Sequence, residues 1–128
     1  MSPTNHSNHK CNAIVISCMD FRLRKYLRKW AITSLDSGGY DRVAIAGGVQ
    51  NLGVITDQVS LSVRLHDIHE VYLINHEDCG AYGPEGTFEK HKEDLLFAQT
   101  ILKHKYPKLK IVPLYLKLNG EFVRVAKK

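Results

Sequence analysis

Four short, nearly unbroken apolar runs constrain this chain more than any other feature. They are Ala13-Ile14-Val15-Ile16-Ser17, Arg42-Val43-Ala44-Ile45-Ala46, Val71-Tyr72-Leu73-Ile74 and the stretch from Leu109 to Leu116. They are rich in β-branched residues and show little of the every-second-residue alternation of a half-exposed strand, so they suit strands buried on both faces. Between them lie segments with helical spacing. Leu23 to Ile32 puts Leu23, Leu27 and Trp30 on one face, and a second stretch begins at Thr56 and runs through Val59, Val63 and Leu65. Phe88 to Tyr106 carries Leu95, Leu96, Ala98, Ile101 and Leu102 and is stopped by Pro107. This alternation predicts an α/β fold with a mostly parallel central sheet of about four strands, flanked by helices on both faces. Asn119-Gly120 is a tight-turn dipeptide, after which Glu121 to Val125 is expected to return as a C-terminal antiparallel strand. Ser37-Gly38-Gly39 and Gly47-Gly48 break the chain, and the Gly- and Pro-rich segment from Cys79 to Gly86 reads as a loop.

At 128 residues, 44% apolar and 24% charged, the chain has the size and composition of one folded domain. Residues 1–12 are expected to form a flexible polar leader and residues 13–128 a single domain. No apolar run approaches the roughly 20 residues of a membrane span. The leader, rich in Asn, Ser and His, lacks the apolar stretch of a secretory signal, so a cytoplasmic protein is expected. The net charge of +5 is concentrated between Arg22 and Lys29 and between Lys103 and Lys110. Few aromatic residues interleave with these charges. Two solvated helix faces account for them better than a nucleic-acid surface does.

In parallel sheets, sites form at the carboxyl ends of strands. Cys18 lies just past the first expected strand and His76 just past the third, with Cys79 close behind. A single buried cysteine is ordinarily a small hydrophobe, and three cysteines in a cytoplasmic chain do not suggest a disulfide framework. Two thiolates and an imidazole arriving at one sheet edge are a different matter. Cys18, His76 and Cys79 make a zinc ligand set with one tetrahedral position left over. Two thiolates neutralise Zn²⁺ and weaken it as a Lewis acid, so neighbouring groups must assist. Asp20 can accept a hydrogen bond beside the metal, and Arg22 can pair with Asp20 and orient it. Alternatively, the Asp20 carboxylate can swing onto the metal and close the site.

Other residues carry weaker signals. Cys11, beside the polar leader, is expected to be a bystander. His66, His69, His91 and His104 are expected to be exposed on helices or loops. Gly47, Gly48 and Gly53 lack the spacing of a phosphate loop and read as turn residues. Cys18 to Arg24 matches the C-x₅-R spacing of a phosphate-cradling cysteine phosphatase loop. Bulky Met19 and Phe21 and negative Asp20 oppose an anion there.

Cys18-x-Asp20-x-Arg22 after the first strand, with His76-x-x-Cys79-Gly80 after the third, resembles the signature of the β-class carbonic anhydrases. The resemblance extends from about Ala13 to Val125 and includes the closing hairpin at Leu118-Asn119-Gly120-Glu121. It implies that Cys18, His76 and Cys79 hold one zinc ion per chain and that Asp20 and Arg22 are catalytic. The implied reaction is reversible hydration of CO₂ to bicarbonate and a proton, by attack of zinc hydroxide. The implied assembly is a homodimer or higher homo-oligomer with the cleft at its interface. Gly80, Phe21, Val49, Leu52 and Tyr82 are candidates for the substrate wall. The chain departs from the family in three places, one being the acidic Glu77-Asp78 pair between His76 and Cys79. Ala44-Ile45-Ala46-Gly47 stands where the family has Arg-x-Ala-Gly, and the long N-terminal helical arm is reduced to about a dozen polar residues. Two alternatives use the same metal site: a non-catalytic zinc-binding or sensing module, and a hydrolase of another small molecule such as COS or CS₂.

Overall fold

The apolar runs become strands β1 (Ala13–Ser17), β2 (Tyr40–Ala44), β3 (Glu70–His76) and β4 (Lys110–Leu116), joined by a short β5 (Phe122–Arg124). In the computed structural model, which describes residues 9–35 and 39–127, they form one sheet in the order β2-β1-β3-β4-β5. The first three pairings are parallel and the β4–β5 pairing is antiparallel, as the strand–helix alternation and the Asn119-Gly120 turn predict. Gly120 makes that turn at φ 95°, and a Cβ there would sit 2.6 Å from the Tyr26 ring. Helices α1 (Arg24–Ser34), α2 (Leu52–His66) and α3 (Phe88–Lys105) connect the strands.

Alternate residues of the strands feed two separate cores. Ile14, Ile16, Val71, Leu73 and Ile111 pack against Ile55 and Val59 of α2 and against Leu95, Ala98 and Leu102 of α3. On the other face, Val15, Tyr72, Ile74, Val112 and Leu114 meet Leu23, Leu27 and Trp30. Trp30 stacks on Phe122 with 5.5 Å between ring centroids and meets Tyr72 edge-on at 5.2 Å. The basic residues Arg24, Lys25, Arg28 and Lys29 of α1, and Lys103 and Lys105 of α3, are exposed.

Three local expectations are corrected. The second strand is not buried on both faces: Tyr40, Arg42 and Ala44 are exposed, because β2 is an edge strand with only β1 beside it. It also ends earlier, at Ala44. Ile45 still donates to Ser17 O, and its own carbonyl starts the turn by accepting from Gly48 N–H. Helix α2 begins at Leu52, before Thr56, and Gly53 sits within it. His69 and His104 are exposed as expected and His66 is half-buried, but His91 is fully buried. Its spacing with Leu95, Ala98 and Leu102 is the inward face of α3.

Residues 1–8 of the leader and the Ser37-Gly38 part of the first chain break lie outside the described residues. Cys11 and Asn12 are tied to the domain. The Cys11 amide donates to His66 O, and Asn12 O accepts from the amides of His69 and Glu70.

Candidate metal centre

Parallel β1 and β3 lie side by side, so the chain leaving β1 and the end of β3 reach the same edge of the sheet. Cys18 follows β1, His76 is the last residue of β3, and Cys79 sits in the turn beyond. All three are buried. Their candidate ligand atoms lie within 4.8 Å of one another, and the two Sγ atoms are 4.0 Å apart. The His76 Nδ1–H donates to Glu77 O at 2.7 Å, which leaves Nε2 buried with no protein partner. Ligand atoms around a tetrahedral zinc with bonds of about 2.0–2.3 Å stand about 3.3–3.8 Å apart. The cluster therefore needs only a slight contraction to hold zinc, and the orphaned nitrogen acquires its partner. The residues fit the metal.

Electrostatics support the same fit. Burial pushes the Cys18 thiol up, but the neighbouring His76 ring and the Gly47 and Asp20 amides outweigh it and bring the group to about 7. The Gly47 N–H lies 3.4 Å from Cys18 Sγ. Burial disfavours protonated His76, yet its contacts with Cys18 and the Glu77 carbonyl favour it more, so its pKa is raised. Burial pushes the Cys79 thiol up, and the charge of Cys18 adds to this. The closeness of the two groups thus favours the Cys18 thiolate, the form a cation requires.

Asp20 and Arg22 form a clamp beside the cluster. The Arg22 amide donates to Asp20 Oδ1 at 2.9 Å. Its Nε lies 3.1 Å from both Asp20 oxygens, and its Nη2 is 2.7 Å from Oδ2. The same guanidinium reaches Asp78 Oδ2 at 3.1 Å and the Asp78 carbonyl at 2.9 Å. Asp78 adopts φ 58°, a left-handed conformation that Asp tolerates. The Arg22 hydrogen bonds hold the Asp20 carboxyl down at about 2. Asp20 Oδ2 lies 3.9 Å from His76 Nε2, next to the thiols and imidazole.

The candidate wall residues separate. An open groove of about 1220 Å³ is lined by Cys18, Met19, Asp20, Phe21 and Arg22 together with parts of α1 and β2. Phe21 is 81% exposed and Gly80 is exposed. Val49 is buried in the α2–α3 core, and Leu52 packs against that core. Tyr82 is buried too, and its hydroxyl donates to Asp94 Oδ2 at 2.7 Å while accepting from Asn75 Nδ2 at 3.0 Å.

That last contact belongs to a polar network missed at the level of sequence. Asn75 Oδ1 accepts from the Val49 amide at 3.1 Å, and its Nδ2 also lies 2.9 Å from His91 Nδ1. Burial brings His91 down to about 4 and pushes the Tyr82 hydroxyl up. Gly48, at φ 56°, passes so close that a Cβ would lie 2.5 Å from Asn75 Oδ1. Two signals were present in the sequence. One is a polar Asn at the end of an apolar strand, which must find buried partners. The other is the helical spacing that carries His91 inward.

The family model described as "Putative carbonic anhydrase" matches residues 8–126. An uncharacterised protein of Rickettsia bellii is 28% identical over 131 residues, covering 88% of this chain and 80% of that protein. The solved β-carbonic anhydrase isoform I of Trichomonas vaginalis superposes with a TM-score of 0.68 at 17% identity, covering 99% of this chain and 88% of the other. The apo form of a carbon disulfide hydrolase superposes with a TM-score of 0.63 at 13% identity, covering 96% and 84%. The family match spans nearly all of the folded chain, which has the fold of the solved β-carbonic anhydrases and gathers its cysteines and histidine at one sheet edge: this protein belongs to the family described as putative carbonic anhydrases.

Proposed function

We propose that the protein is a zinc-dependent carbonic anhydrase that converts CO₂ and water to bicarbonate and a proton. The observation that carries this reading is the buried, unpartnered His76 Nε2, which shares its site with two thiols and lies 3.9 Å from a carboxylate locked by arginine. Cys18, His76 and Cys79 would hold the ion. Bound there, zinc supplies Lewis acidity that lowers the pKa of water at its open position.

The protein's own residues do the rest. With its pKa near 2, Asp20 stays ionised at any working pH and acts as a fixed acceptor, not a proton store. Arg22 engages both of its oxygens, which favours an Asp20 held beside the metal over one coordinated to it. Oδ2 accepts a hydrogen bond from the attacking water and so aims a lone pair at the carbon. The proton leaves through the open groove to solvent. Phe21 lines that approach and Gly80 is exposed beyond Cys79, whereas Val49, Leu52 and Tyr82 belong to the packed interior. We further propose a homodimer formed over the groove, where Met19, Phe21 and Ile32 leave apolar surface uncovered. Three free cysteines and a thiolate-rich site suit a reducing, cytoplasmic compartment.

Metal analysis with stopped-flow CO₂ hydration tests the reading on wild type and Asp20→Asn. We expect stoichiometric zinc in both and turnover about 10–100-fold lower in the variant. Bound zinc with no hydration between about pH 7 and 9, where zinc-bound water ionises, would overturn it. A second reading, hydrolysis of COS or CS₂, draws on the carbon disulfide hydrolase that shares this fold. The same assay run on those substrates separates the two, and inactivity on all three leaves a zinc-binding module.

A further inference from the structure

A second set of donors converges at the opposite end of the same strands. Cys11 precedes β1, Asp41 is the second residue of β2, and His66 closes α2. Strands β1 and β2 start here side by side, with Ile14 in register with Asp41, and α2 ends just before Ile68 and β3. The Cys11 amide donates to His66 O at 3.1 Å, which fixes the cysteine beside the helix end. One ligand atom from each of the three side chains lies within 4.8 Å of the others, and all three residues are half-buried. His66 Nδ1 is 2.7 Å from Asp41 Oδ2, and Ser62, one turn earlier on α2, donates to the same oxygen at 2.5 Å.

We propose that Cys11, Asp41 and His66 form a second metal site, which takes a zinc-class divalent transition ion independently of the Cys18–His76–Cys79 centre. One sulfur, one nitrogen and one oxygen donor make a borderline-soft set, unlike the all-oxygen shells of Mg²⁺ and Ca²⁺. With the thiol deprotonated, the thiolate and carboxylate bring two negative charges, which match a divalent cation. Ser62 supplies the outer hydrogen bond that orients a ligating carboxylate.

Binding is balanced without any redox partner. The Cys11 thiol gives one proton to solvent, and the neutral imidazole carries its proton on Nε2, freeing the Nδ1 lone pair for the ion. Asp41 exchanges its contact with His66 for one with the cation. The cluster is poorly suited to nucleophilic catalysis. Burial and then the charge of Asp41 push the Cys11 thiol up, opposite to what an activated nucleophile requires. A cation neutralises that same charge. Its structural effect is a clip: within the sheet β2 pairs with β1 alone, and the ion would reinforce the Asp41 contacts to the end of α2 and tie the strand to the chain entering β1.

The test is zinc stoichiometry of the full-length chain after saturation and exhaustive dialysis. Cys11→Ala and His66→Gln are each expected to hold one zinc fewer than wild type, whatever the occupancy of the other centre. Equal stoichiometry in either variant overturns the proposal. Loss in Cys11→Ala but not in His66→Gln also overturns it, because it assigns the ion to the His-rich sequence before Cys11. A labelling experiment covers the case in which a variant folds poorly. Zinc should slow iodoacetamide alkylation of Cys11 in the wild-type chain by about ten-fold or more, read by peptide mapping. An unchanged rate overturns the site.

Discussion

The two faces of the sheet are built differently. One is sealed by α2 and α3 over a continuous apolar core that includes Ile55, Val59, Leu95, Ala98 and Leu102. The other is covered by α1 and leaves a groove of about 1220 Å³ beside the metal centre, with Met19, Phe21 and Ile32 exposed around it. The difference suggests a division of tasks: the sealed face holds the larger core, and the open one gives access to the candidate metal site. Leu102, on α3, is fully buried. Truncating it to alanine should cost about 2–5 kcal/mol in urea unfolding. A loss below about 1 kcal/mol would mean that the sealed face does not dominate stability, and the contrast between the faces would fail.

The sealed face also holds a polar seam where it meets the metal centre. Asn75 links the Val49 amide to His91 and Tyr82, Tyr82 donates to Asp94, and Lys90 pairs with Asp94 at 3.1 Å. His91 is held neutral down to about pH 4 by burial, against an ordinary value of 6.5. As pH falls through 6.5 the unfolded chain takes up a proton that the folded chain refuses. Stability from this group is therefore fully present above about pH 6.5 and is lost progressively towards pH 4. At 1.36 kcal/mol per pK unit, that loss is about 3 kcal/mol. Urea unfolding between pH 7 and pH 4 should show a shallower decline for His91→Gln than for wild type, whatever the variant's stability at pH 7. Equal slopes would show that His91 does not carry this pH dependence.

The fold was largely legible because burial leaves a pattern. Three of the five strands are covered on both faces and read as apolar runs, and the alternation with helices dictates parallel pairing. The edge strand misled because Val43-Ala44-Ile45-Ala46 is apolar in composition, although only one side of β2 has a neighbour. The convergence of Cys18, His76 and Cys79 was legible for a related reason. Cys18 and His76 stand at the ends of apolar runs, so topology brings them together without any knowledge of side-chain packing. What supports the cluster was less legible. Asp78, in a left-handed turn, holds Arg22 through a contact 56 positions away, and Gly48 yields its side-chain space to Asn75. Those pairings depend on how loops approach one another, which no local period records. The half-buried trio of Cys11, Asp41 and His66 was hidden the same way, with its members drawn from three separate segments.

The smallest change in folding stability is expected on the open face, where it carries the largest change in assembly. Ile32 is 70% exposed on α1 and borders the groove. A charge at an exposed helix position costs the isolated fold little, within about 0.5 kcal/mol. If that surface is buried between two copies, the same charge is desolvated without a partner and opposes association. Ile32→Glu should therefore unfold in urea nearly as wild type does when both are measured as monomers, yet sediment as a monomer at micromolar concentrations where wild type is a dimer. A wild-type monomer by light scattering would remove the dimer from the proposal. A variant that stays dimeric would move the interface away from this groove, and the open face would then serve substrate access alone.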